Sequence, residues 1–200
     1  MMKCFFTTSL IILTLALSGI SCGRRYAKGK YIDPNEIILR SDKFVESDLQ
    51  QIAEKISSSI STSPEVTEHS GKLVTMMSLF GNDTDEHIDM KSLSDKSRTL
   101  LFKSGKFTFV NENMRPAVKE EIVYQESEWV DPKTAKKRGR QLGADYFLSG
   151  TLSSIKQPVG RQEIVYYKMT FSLTDLEKNT ILWTDDLEIK KRFRKRFTGT

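Results

Sequence analysis

The feature that most narrows the fold is the alternation of apolar and polar residues through the last third of the chain. From Asp145 to Lys156 and again from Ile164 to Leu176 the two types take turns. A period of two places one set on each face of a strand. Gln157 to Gly160 separates the runs, and with Pro158 and Gly160 as turn formers it predicts a hairpin loop. Glu177 to Asn179 predicts the next turn, with Asn179 able to take a positive φ. Ile181, Trp183, Leu187 and Ile189 then give one apolar face to a final strand, which runs out into the basic stretch Lys190 to Arg196.

A sheet with one apolar face needs a cover, and the residues before it supply helices. Val45, Leu49, Ile52, Ala53, Ile56 and Ile60 recur at helical spacing. Ser47 and Gln50 have the spacing of a capping box, and the helix is expected to end in the polar run Ser57 to Ser63, before Pro64. Lys72 to Phe80, bounded by Gly71 and Gly81, reads as a buried strand. A second helix is expected from Asp89, with Met90, Leu93, Ser97, Leu100 and Leu101 on one face and Gly105 at its end. Phe107 and Phe109 then alternate with polar neighbours as a short strand.

Between these and the final strands, Met114 to Gln125 has Val118, Ile122 and Gln125 at helical spacing. Asp131 and Pro132 predict one more short helix, with Ala135, Gly139 and Leu142 facing inward and Gly143 at its end. The sum is an α+β fold in which helices pack on a mixed or antiparallel sheet of four to five strands. No internal repeat is visible.

The start of the chain has a different character. Residues 1–21 carry Lys3, then an apolar run from Phe5 to Leu17, then Ser18, Gly19 and Ser21 before Cys22. This is the layout of a secretory signal, shorter in its apolar core than the roughly 20 residues that span a bilayer. The chain has two cysteines, and cleavage would discard Cys4 and leave Cys22 as the first residue. A lone cysteine there resembles a bacterial lipoprotein signal, although Gly19 stands where such signals usually have Leu. The expectation is a signal peptide over 1–21, a lipid attached to Cys22, a tether over 22–42 and a globular domain over 43–197. The competing reading makes Cys22 an ordinary thiol after nearby cleavage, or the segment an uncleaved anchor. Gly23, in place of an inner-membrane retention Asp, favours the outer membrane by resemblance. Arg24, Arg25, Lys28 and Lys30 would then lie beside anionic head groups, or simply form a solvated linker.

Composition sets the outer limits. With 200 residues, 38% hydrophobic and 28% charged, the chain suits one domain with a true core. A mean hydropathy of −0.40 excludes a polytopic membrane protein. Two cysteines exclude a disulfide scaffold and a four-thiolate zinc site.

Catalytic signatures are missing from the sequence: it has no GxSxG, no Gly-rich phosphate loop and no HExxH. The densest polar cluster, NDTDEHID over residues 82–89, contains Asp83, Asp85, Glu86, His87 and Asp89. It lacks the Gly and distal Glu of an EF-hand, and His69 is the only other histidine that could complete a zinc set. It reads as a polar loop whose Asp89 caps the second helix. No catalytic residue, metal or cofactor is expected. The six Lys and Arg between Lys190 and Arg196 would suit nucleic acid in a cytoplasmic protein. Export removes that partner, leaving anionic wall or lipid groups or, more simply, a solvated strand end. Tyr166, Tyr167, Phe171 and Trp183 read as strand packing.

The stretches NDTDEHIDMKSL, SGKFTFVN, RQLGADYFLSGTLSSI and VYYKMTFSLTDLEKNTILWTDDLEI together resemble the LpoB family, outer-membrane lipoproteins that activate a penicillin-binding protein. The resemblance covers about Ser47 to Phe193. It implies a fold like the N-terminal domain of TolB, and a non-enzymatic regulator facing the periplasm. The implied partner is a class A penicillin-binding protein, bound through its small non-catalytic domain and stimulated in peptidoglycan synthesis. Relatives in enteric bacteria have a much longer tether. The one here, about 20 residues, reaches at most roughly 70 Å and typically nearer 25 Å as coil. The LGADYFLSG segment is shared by other TolB-like envelope lipoproteins, so a second class stays open: a structural lipoprotein that assembles with itself or with another secretion or wall component. Lys156 and Arg161, beside the expected hairpin, are the candidate partner-binding residues because a rigid exposed turn can present charge.

Overall fold

A computed structural model describes residues 31–33, 36, 37 and 41–194. The chain divides into two units, Met1–Pro34 and Asn35–Thr200. Of the first, residues 31–33 are described; they are exposed and have no regular secondary structure. The expected signal, Cys22 and the basic residues 24–30 lie outside the described residues, as do Lys195, Arg196 and Phe197. Ile37, within the expected tether, is exposed coil.

The second unit is an α+β domain. Helix α1 runs over Glu46–Thr62, and after Ser63 the short helix α2 covers Pro64–Thr67. Strands β1 (Leu73–Met77) and β2 (Gly81–Asp83) precede helix α3 (Met90–Lys103) and strand β3 (Phe107–Phe109). A 3-10 turn, Glu112–Met114, leads into helix α4 (Arg115–Gln125). Strands β4 (Tyr146–Val159), β5 (Gln162–Asp175) and β6 (Thr180–Arg194) complete the order.

Among the described residues the sheet is mixed and has six strands, ordered β3-β1-β4-β5-β6 with β2 also on β4. β1 is parallel to β3 and β4, β2 is parallel to β4, and β4–β5–β6 are antiparallel. The extra strand comes from a break in the segment expected to be a single strand over Lys72 to Phe80. Ser78 still donates to the Leu148 carbonyl at 3.1 Å, but Phe80 turns its N–H to the Ser94 hydroxyl at 3.0 Å. That turn buries the Phe80 ring edge-on against Phe171 and leaves Leu79 exposed. The chain resumes pairing with β4 at Gly81 opposite Thr151.

The alternation in the final strands sets the core. On β5, Val165, Tyr167, Met169, Phe171 and Leu173 are buried, and Ile52, Ile56 and Ile60 of α1 with Leu93 and Leu101 of α3 complete the same cluster. The intervening Lys168, Thr170, Ser172 and Thr174 lie on the other face. One position breaks the pattern: a register shift between Leu173 and Thr174 brings Trp183 opposite Leu173 but Ile181 opposite Thr174. Trp183 is buried and Ile181 is 63% exposed, because a bulge moves following residues to the opposite face.

Three local expectations are corrected. The cap of α1 is Val45, whose N–H donates to the Asp48 carboxylate at 2.8 Å; Ser47 lies inside the helix and is buried. The β4–β5 turn is the tighter Gly160–Arg161 pair, with Val159 opposite Gln162 and Gly160 at φ 58°. Pro158 is therefore inside β4. β1 and β2 pair only with Tyr146 to Leu148 and Thr151 to Ser153, so beyond them one edge of β4 is open and the missing N–H breaks no ladder. Asp131 to Gly143 forms turns, not a helix: the Asp131 carboxylate takes the Lys133 N–H at 2.9 Å, Gly139 sits at φ 74° and Leu142 is 67% exposed. A helix this short, with no apolar face buried, has nothing to offset its nucleation cost. The other signals hold: Asp89 accepts the Ser92 N–H at 3.0 Å, Gly105 ends α3 at φ 75°, and Asn179 turns at φ 53°.

Candidate functional site

The NDTDEHID segment folds over the start of α1 and the far half of β4, and together they form a cleft of about 480 Å³ lined by Phe44, Leu49, Glu86, His87, Ile88 and Lys156. The loop supports itself: Asn82 Nδ2 donates to the Glu86 carbonyl at 2.8 Å, and Thr84 donates to Asn82 Oδ1 at 2.7 Å. That places Glu86 inward, with 9% of its side chain exposed.

Glu86 joins three parts of the fold. Its carboxylate accepts the Phe44 N–H at 2.9 Å and the Tyr167 hydroxyl at 2.8 Å, and Lys156 Nζ lies 3.0 Å away. Burial pushes the carboxyl up, but the Phe44, Tyr167 and Lys156 donors outweigh it and hold Glu86 below the usual carboxylate range. Lys156 also reaches Asp85 at 2.9 Å, which draws the Asp85 carboxyl down and, with Glu86, raises Lys156. The Tyr167 hydroxyl is pushed well up, by burial first and then by its bond to Glu86.

A second buried pair sits behind the first. Lys191 Nζ is bonded to the Asp48 carboxylate and donates to the Lys43 carbonyl at 2.9 Å, while lying 5.6 Å from the Tyr167 ring centroid. Lys191 is 6% exposed and Asp48 1%. Residues 43–45, which lead into α1, are thus fastened by Glu86 from the loop, by Lys191 from β6 and by Asp48 from the helix itself. Chemically this is a clamp. Its carboxylates and cations bind one another and the backbone of residues 43–45.

Of the residues singled out in the sequence, Lys156 is in this clamp, and Arg161 is exposed at the β4–β5 turn. His87 is exposed on the cleft wall, while His69 packs edge-on to Tyr146 with centroids 5.9 Å apart. Tyr167 is more than strand packing, and Lys191 does not belong to a solvated end. The signal for Lys191 was its phase: it continues the inward series Leu187, Ile189, whereas Lys190, Arg192 and Arg194 occupy the exposed positions. Among the described residues no helix is long and apolar enough to cross a membrane.

A family model described as peptidoglycan-synthase activator LpoB matches residues 48–189. The chain belongs to the LpoB family. The matched span begins at Asp48 and includes Glu86, Lys156 and Tyr167, so this LpoB-family domain carries most of the clamp within its family region. The family is one of envelope lipoproteins that activate penicillin-binding proteins, regulatory in character. Solved structures similar to the chain include the LpoB C-terminal domain from Salmonella enterica, at 16% identity and a TM-score of 0.45, covering 72% of this chain and 99% of that one. The LpoB C-terminal domain from Escherichia coli gives 15%, 0.46, 72% and 99% for the same quantities. A lipoprotein from Neisseria meningitidis is 14% identical, covering 63% of this chain and 88% of its own, at a TM-score of 0.39. No curated protein matches the chain.

Proposed function

We propose that this protein is a lipid-anchored, non-enzymatic activator of a class A penicillin-binding protein, attached through Cys22 to the outer membrane and facing the periplasm. In this reading the domain docks on the small non-catalytic domain of the synthase and stimulates glycan polymerisation and peptide cross-linking. The observation that carries it is the LpoB family match over residues 48–189, which spans nearly the whole folded domain. The clamp is compatible with it: a tether of about 20 residues limits how far the domain reaches, and the clamp fixes where that tether joins the domain, since residues 43–45 are held by Glu86 and Lys191. Arg161 presents charge to the partner from the tight turn, and Lys156 sets the rim of the neighbouring cleft.

The test is a glycosyltransferase assay with the full chain and the class A synthases of the same organism, alongside a direct binding measurement. Stimulation of one of them, weakened by Arg161→Glu, is the expected result. Neither binding nor stimulation of any of them overturns the proposal. Cross-linking in cells with mass spectrometry separates it from a structural role, since recovery of an assembly without a synthase would favour the latter.

A further inference from the structure

Helix α4 and the turns after it form a second concave surface that shares no residue with the clamp cleft. Its helix is unusual for this fold in having no buried residue. Met114, Val118 and Ile122 nevertheless recur along one side at helical spacing, and Met114 and Val118 are 48% and 38% exposed. These residues floor a groove of about 1190 Å³ whose other wall is the segment from Pro132 to Gln141. That wall is held in place by the Lys136 N–H on Gln125 Oε1 at 2.8 Å and by the Arg138 to Glu126 ion pair.

The charge around this floor is one-sided. Lys133, Lys136, Lys137 and Arg140 line the groove, and no ion pair to any of the four is present among the described residues. The one acidic residue in the lining, Glu121, takes a hydrogen bond from Gln125 at 2.8 Å. Four unpaired cations over an apolar helical stripe are complementary to a ligand that is apolar along one side and anionic along its flanks. A bare polyanion would leave Val118 and Ile122 unused, and a flat bilayer does not enter a concave groove.

We infer that this groove is a docking site for an acidic amphipathic helix of a partner protein, bound in the helix-in-groove manner. The floor from Met114 to Gln125 is about 16 Å long at the helical rise per residue, enough for about three turns of a bound helix. Its apolar side packs on Val118 and Ile122, and its Glu or Asp flanks pair with Lys136, Lys137 and Arg140. The inference is independent of the synthase reading: the groove can hold while the synthase assay fails, and the reverse.

The experiment measures fluorescence anisotropy of a labelled peptide of roughly five helical turns, Leu along one face and Glu on the flanks, titrated with the full chain. Matched probes carry Lys in place of Glu, and vesicles of anionic phospholipid form a separate arm. The acidic peptide should bind with an affinity that falls as salt rises, and the Lys peptide should bind at least about tenfold more weakly. The triple variant Lys136→Glu, Lys137→Glu, Arg140→Glu and, separately, Val118→Asp should each lose about tenfold or more while melting like the parent. No binding of the acidic peptide, equal binding of the Lys peptide, indifference to these substitutions, or use of the same residues for vesicles alone would each overturn the inference.

Discussion

Glu86 and Tyr167, 81 positions apart in sequence, are joined by a 2.8 Å hydrogen bond from the phenol to the carboxylate. The bond ties a surface loop to the central antiparallel strand, and the same carboxylate takes the Phe44 N–H at 2.9 Å. Glu86 therefore helps to hold the entry to α1 on the sheet, alongside Lys191 from β6.

Glu86→Gln should cost about 1–3 kcal/mol at neutral pH, because it weakens charge-assisted bonds and leaves Lys156 with Asp85 alone. The effect depends on pH. The folded carboxyl is held below its ordinary value of 4.5, so its stabilisation is complete above that value and is lost as pH falls through the lower folded value. Thermal melts from about pH 7 down to about pH 3 should show the parent and Glu86→Gln converging at the acid end. A constant gap across the range would contradict the assignment.

Lys191→Met should be more damaging, at about 3–5 kcal/mol, since it strands the Asp48 carboxylate in a buried site with the Val45 N–H as its remaining donor. The double variant with Asp48→Asn should lose less than the sum of the single changes, as expected for two groups in direct contact. Urea unfolding of the four proteins measures the coupling, and simple additivity would show that the pair is not coupled.

Gly150→Ala tests the close packing of β4 on β5. A Cβ there would sit 2.8 Å from Met169 Cε, 2.9 Å from Phe171 Cδ1 and 3.1 Å from the Thr170 carbonyl oxygen. Phe171 is buried and the carbonyl belongs to the ladder, so the site cannot open freely. Overpacking of about 1–3 kcal/mol is expected in denaturant melts; an unchanged midpoint would mean that the strands separate more easily than their register suggests.

Leu93→Ala and Val118→Ala should divide the molecule into core and appendage. Leu93 is fully buried against the sheet, and its truncation should cost about 2–5 kcal/mol. Val118 lies on a helix without buried residues, and its truncation should change stability by no more than about 0.5 kcal/mol. Comparable losses at both sites would place α4 within the cooperative core.

Residue periodicity alone settles the elements in which it reports burial. Val165 to Leu173 alternate, Ile52, Ile56 and Ile60 recur at helical spacing, and both series become core because an element with one apolar face has one stable way to turn. Asp89, Gly105 and Asn179 were equally legible, since caps and turns are local chemistry. The remaining features depend on contacts that exist only once the chain is folded. Phe80 breaks a strand to reach Phe171, and a bulge exposes Ile181, because each answers to a partner distant in sequence. Glu86, Tyr167 and Lys191 looked like a polar loop, strand packing and a basic end, and Asp48 stood out in no way. What makes them a clamp is the fold, which brings residues up to 143 positions apart within hydrogen-bonding distance in a place with little water to compete.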